Sequence, residues 1–129
     1  MKIAVIITRT LLGLIFLVFG LNFFLHFIPM SSSPPGKAGA FEGGLFGSGY
    51  FFPFLKVIET IGGLFLIINR YTAFFLLALL PITVNICLFH AFLAPSGLPL
   101  GGLMLIIHLF LGYAYFKYYS PVFTSHPTI

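Results

Sequence analysis

The chain has 129 residues, 60% hydrophobic and only 6% charged, with a formal net charge of +4. Soluble domains carry about a quarter charged residues, and a mean hydropathy of +1.14 excludes a soluble enzyme, a nucleic-acid module and a disordered tail. The six basic residues are scattered rather than clustered, so nothing tracks phosphates, and a lone Cys87 excludes an intramolecular disulfide, a CxxC pair and a cysteine-rich metal site.

A bilayer core takes about 20 apolar residues per helix. Four stretches have that character: about 4–28, 49–68, 72–93 and 98–119. Their apolar runs are continuous, so helices are expected rather than the alternating strands of a barrel. The first stretch is expected to be a retained helix and not a signal peptide, because Arg9 interrupts it and no small-residue cleavage site closes it. Between the first two stretches lies 29–48, rich in Ser, Pro and Gly. It is expected to be an extracytoplasmic loop. Phe41, Leu45 and Phe46 suit either a second half that dips back as a lid or a connector resting among headgroups. Asn69-Arg70-Tyr71 and Ala94-Pro95-Ser96-Gly97 are short links, so the helices they join should be antiparallel neighbours. The expected fold is all-α, one integral membrane domain over 1–129, a four-helix bundle. Lys2, Arg9, Arg70 and Lys117 fall on one side, against Lys37 offset by Glu42 on the other, which places both termini in the cytoplasm.

Polar residues inside such spans are costly, at least about 2.5–3.5 kcal/mol for a charge near mid-bilayer. The candidates for an intramembrane polar pocket are Glu59, Lys56, His26, Asn22, Asn85, Arg9 and His108. At about 1.5 Å per residue, most of them fall in the middle and outer half of the bundle. Lys56 and Glu59 are three apart and share a helical face. They form either an internal ion pair that lets the helix insert or part of a functional site. Asn22 and His26 are one turn apart. Asn85 and His90 are about 140° apart around their helix, so they are expected to point different ways. Arg9 shares a stripe with Gly13 and Gly20; it either enters that interface toward Glu59 or snorkels to the headgroups. His108 shares a stripe with Gly101 and Gly112. It is either hydrogen-bonded across helices or a proton-transfer group. Pro81 interrupts the hydrogen bonding of the third stretch. No spacing calls for a metal.

RTLLGLIFLVFGLNFFLHFIPM, FPFLKVIETIGGLFLIINRY and LLALLPITVNICLFHAFLAPSGLPL, in this order and over nearly the whole chain, resemble the DoxX family of small bacterial membrane proteins. The resemblance rests on Arg9 and Gly13, Gly20 to Asn22, His26, Lys56 to Glu59, Gly62-Gly63, and Asn85 to His90. It implies a multi-pass protein of the bacterial cytoplasmic membrane. The family's name comes from a subunit of a thiosulfate:quinone oxidoreductase, and other relatives are linked to oxidative-stress complexes. The outline is also similar to the helical core of vitamin K epoxide reductase, but that enzyme works through CxxC cysteines. With only Cys87, this chain does no thiol–quinone chemistry alone.

Two functions of different classes fit. One is a redox-linked subunit that binds a quinone, with Glu59, Lys56 and His26 on its oxygens. The chain has no haem motif, flavin fingerprint or cysteine cluster, so electrons would come from a protein partner. The other is a non-catalytic assembly or anchoring protein, or a carrier of a small lipophilic molecule, with the 29–48 loop as a docking surface. The partners expected are the lipid bilayer, a redox protein and copies of itself as an oligomer, and no nucleic acid.

Overall fold

The computed structural model of the chain describes residues 1–29 and 34–129. All regular structure among them is helical: α1 (Lys2–Leu25), α2 (Gly36–Gly47), α3 (Phe51–Ile67), α4 (Thr72–Phe92) and α5 (Leu98–Ala114), with 3-10 turns at Pro95–Gly97, Phe116–Tyr118 and Ser120–Phe123. Three helical segments are long and apolar enough to cross a membrane: α1, α4, and α5 with the turn before it. A fourth exists if α2 and α3 count as one span, but they meet at 90°. Alone, α3 has 17 residues, about 25 Å at 1.5 Å per residue.

The ends depart from expectation for local reasons. The first helix stops at Leu25 rather than near 28. Pro29 disfavours helix at Ile28, and the Ile28 amide donates instead to Asn22 Oδ1 at 2.6 Å. The last helix stops at Ala114 rather than near 119, and the chain continues in 3-10 turns up to Pro121 and beyond. The largest correction concerns 29–48. Residues 36–47 are not loop but helix α2, and the remainder of that expected loop at 30–33 lies outside the described residues. Gly49, with φ +79, breaks the chain between α2 and α3.

Packing is cyclic: α1 lies on α3, α3 on α4, α4 on α5, and α5 returns to α1. The α1–α3 seam is the tightest. A Cβ added at Gly13 would stand 2.8 Å from the Gly63 carbonyl oxygen, one at Gly63 would stand 2.5 Å from the Leu17 nitrogen, and one at Gly20 would strike Thr60. Small side chains on both helices therefore let the backbones touch. Next door on α3, Gly62 faces the other way and receives Leu79 of α4. The short links at Ile68–Tyr71 and Ala94–Gly97 make α3/α4 and α4/α5 neighbours, as their length requires. The core joins Leu12 and Phe16 of α1, Leu66 of α3, Leu76 and Leu79 of α4, and Met104, Ile107 and Leu111 of α5. Outward-facing Ile3, Phe74, Ile106 and Leu109 are all more than half exposed, a surface suited to lipid and not to water.

Candidate functional site

One end of the helix array holds a cavity of about 350 Å³. Its walls come from the second half of α1, from α2, from the first half of α3, from the last half of α4 and from the start of α5. Six phenylalanines line it: Phe16, Phe19, Phe41, Phe51, Phe52 and Phe89. Its polar groups are Glu42, Lys56, Glu59, Asn85 and His90. Glu42 and Glu59 are the chain's only acids, so both carboxylates face one apolar space.

Glu59 is 3% exposed. Lys56, one turn earlier on α3, brings its Nζ to 2.8 Å from Glu59 Oε2. No second hydrogen bond reaches Oε2 among the described residues, and that oxygen is enclosed. A buried ion pair needs such bonds to offset the loss of water. The pair is thus neutral overall, with the ammonium as the close partner of Oε2, and both residues line the cavity. Pockets that hold small organic ligands measure about 300–1,000 Å³ and combine apolar walls with a few convergent polar groups. This one has both features.

Of the seven residues singled out in the sequence, Glu59, Lys56 and Asn85 line this cavity. Asn22 lines an adjoining one, of about 770 Å³, which shares Phe19, Glu42, Phe52, Lys56, Phe89 and His90 with the first. Its side chain is buried and its Oδ1 holds the Ile28 amide, so it fixes the exit from α1.

His26 does not join them. It is the residue that ends α1, in the left-handed conformation with φ 53, and it is exposed. The expected face shared with Asn22 requires the helix to run past it, and the helix stops one residue short. Arg9 is not aimed at Glu59, nor does it reach for headgroups. It is buried, its Nε donates to the Leu66 carbonyl at 3.0 Å, and one terminal nitrogen donates to the Tyr115 hydroxyl at 3.0 Å. Leu66 lies two turns beyond Glu59, about 10 Å along α3. A cation at the C-terminal carbonyls of α3 is favoured by the helix dipole. Arg9 therefore ties α1, α3 and the end of α5 together at the end away from the cavity.

His108 is also outside the cavity. Its Nε2 lies 2.6 Å from the Leu76 carbonyl, which can only accept, so Nε2 carries the proton and Nδ1 accepts from the Thr83 hydroxyl at 2.8 Å. Both ring nitrogens are satisfied across the α4–α5 interface, with Thr83 0% exposed. Of the glycines on its stripe, Gly101 packs on Cys87, whereas a Cβ at Gly112 would meet nothing within 4 Å.

Glu42 and His90 were not among the expected pocket residues. Glu42 sits in a segment that reads as loop, and only the fold-back of α2 carries it to the cavity. His90 was expected to face away from Asn85. Both line the cavity, because its wall follows α4 over Asn85–His90 instead of converging on one point. Gly97 packs against the His90 ring, and Nδ1 lies 3.2 Å from the Ala94 carbonyl. No group of three or more His, Cys, Asp or Glu able to hold a metal occurs among the described residues.

No family model, curated protein or solved structure matches the chain.

Proposed function

We propose that the chain is a four-span bundle of the bacterial cytoplasmic membrane, with both termini inside, whose outer-half cavity binds a quinone or a lipophile of similar shape. The observation that carries this proposal is the Lys56–Glu59 ion pair on the wall of a phenylalanine-lined cavity of about 350 Å³. A flat ring suits the aromatic walls. A quinone's oxygens accept from Lys56, and a quinol's hydroxyl donates to Glu59. In the bilayer the first helix, α3, α4 and α5 are the spans, and α2, at 90° to α3, lies along the outer interface. The resemblance to the DoxX family points the same way, toward a redox-associated subunit. A quinone so held supplies two-electron, two-proton chemistry, and a partner protein supplies the electrons.

The test is ligand retention. Wild type and Glu59→Gln are purified in a mild detergent, weighed by native mass spectrometry and extracted for lipid analysis. Decylubiquinone binding is titrated on the same samples. A quinone-sized molecule held by wild type and lost from Glu59→Gln is the expected result. A wild-type protein that is empty and does not bind decylubiquinone refutes the pocket. If that empty protein co-purifies with another chain, the anchoring function is favoured instead.

A further inference from the structure

The helix α2 is poorly built to be permanent. Five of its 12 residues are glycine, and each interior glycine lowers a helix's population about two- to fivefold relative to alanine. Packing demands one of them: a Cβ at Gly39 would strike the Pro34 carbonyl. At Gly43, Gly44 and Gly47 an added Cβ meets nothing within 4 Å. Glycine at those three positions makes no close contact and weakens the helix. Only Ala38 of the segment is buried, and a helix of about 12 residues is marginal on its own.

Both ends are jointed. Gly36 has φ +71 and Gly49 has φ +79, values that suit glycine, and neither is hemmed in. Between these joints the helix is held by aromatic pairs. The Phe41 ring lies 5.8 Å from Phe89 of α4, and Phe46 lies 5.3 Å from Phe52 of α3 and 6.1 Å from Phe23 of α1. The same segment supplies Phe41, Glu42 and Leu45 to the cavity wall. The other walls belong to helices that pack directly on one another. Elements that open for ligands are drawn from the least stable parts of a fold.

We propose that α2 is a hinged lid that swings on Gly36 and Gly49, with Phe41 on Phe89 as its latch, and that its opening widens the ligand's way into the Glu59 cavity. The identity of that ligand rests on the function proposed above; the lid motion does not.

The experiment reads access to the cavity floor. In a Cys87→Ala background, Met104→Cys places a thiol on the cavity wall, and Ile86→Cys is the second reporter in case the first fails to fold. The rate of labelling by N-ethylmaleimide is measured with the native lid, with Gly43→Ala/Gly44→Ala, and with Phe41→Ala. The alanine pair strengthens the helix without touching anything, and it should slow labelling about tenfold. Phe41→Ala releases the latch and should speed it. Hydrogen exchange in α1 and α3 should be unchanged in both, which shows that the array is intact. Labelling rates that ignore both variants overturn the lid. Decylubiquinone added to the native lid should protect the thiol. Absence of protection overturns the quinone pocket, and the lid then stands or falls on the labelling rates alone.

Discussion

Replacing Gly63 by alanine tests the α1–α3 seam directly. The added Cβ would lie 2.5 Å from the Leu17 nitrogen and 2.6 Å from the Gly13 carbonyl oxygen, against ordinary contact at 3.4 Å and beyond. Both neighbours are backbone, so no side chain can swing aside. The helices must separate by most of an ångström, and the Gly20–Thr60 contact lies along the same seam. Overpacking of this kind costs about 1–3 kcal/mol, partly offset by the better helix propensity of alanine, about 0.5–1 kcal/mol. The net loss expected is on the order of 1–2 kcal/mol. Gly112→Ala is the control, because its Cβ meets nothing within 4 Å and it should be neutral or slightly stabilising. Unfolding of both variants by SDS titration from dodecylmaltoside micelles gives the comparison. Gly13→Ala should resemble Gly63→Ala, and the double variant should lose less than the two singles combined, since one separation relieves both clashes. Equal stability of Gly63→Ala and Gly112→Ala would refute backbone contact at the seam.

Thr83→Val should destabilise by about 1–3 kcal/mol in the same titration, because it leaves His108 Nδ1 buried without a donor; Thr83→Ser should retain most of the stability. Arg9→Met loses the bonds to Leu66 and Tyr115 together, so it should cost more than Tyr115→Phe, which removes one. Arg9→Lys should fall nearer Arg9→Met, since an ammonium lacks the guanidinium fork that reaches both acceptors. Tyr119→Phe should be neutral or stabilising, because the Tyr119 hydroxyl is buried with no partner among the described residues.

Long apolar runs are strong signals, and α1, α4 and α5 were legible from them. So was the adjacency across the short links, because a few residues leave no alternative. Helix α2 was not legible. Its glycines and its two charged residues, Lys37 and Glu42, have the composition of a loop, and the aromatic contacts it makes, with Phe23, Phe52 and Phe89, leave no helical pattern in its own sequence. The site divides along the same line. Lys56, Glu59 and Asn85 stand out as polar groups in apolar runs, and they line the cavity. Glu42 does not stand out, because it lies in a glycine-rich stretch that reads as loop. For Arg9 the residue was visible but its partners were not: a backbone carbonyl on α3 leaves no trace in side-chain patterning, and Tyr115 lies 106 residues away. His26 was misplaced by a single residue of helix length, enough to turn its side chain off the face of Asn22.

The closeness of α1 and α3 also bears on the order in which the protein can be assembled. These two helices are the tightest partners, yet residues 26–50 separate them. In the four-span arrangement proposed above, a chain inserted from its N-terminus would expose the glycine face of α1 to lipid until α3 is made, whereas α4 and α5 follow their neighbours across short links. The seam therefore closes over a long connection. Each doubling of a connection's length adds only about 0.6 kcal/mol to its closure, so added length between α1 and α3 comes at little expense to the seam. The Ile68–Tyr71 link has no such latitude. Variation in length among chains built this way should collect between α1 and α3 and be nearly absent between α3 and α4.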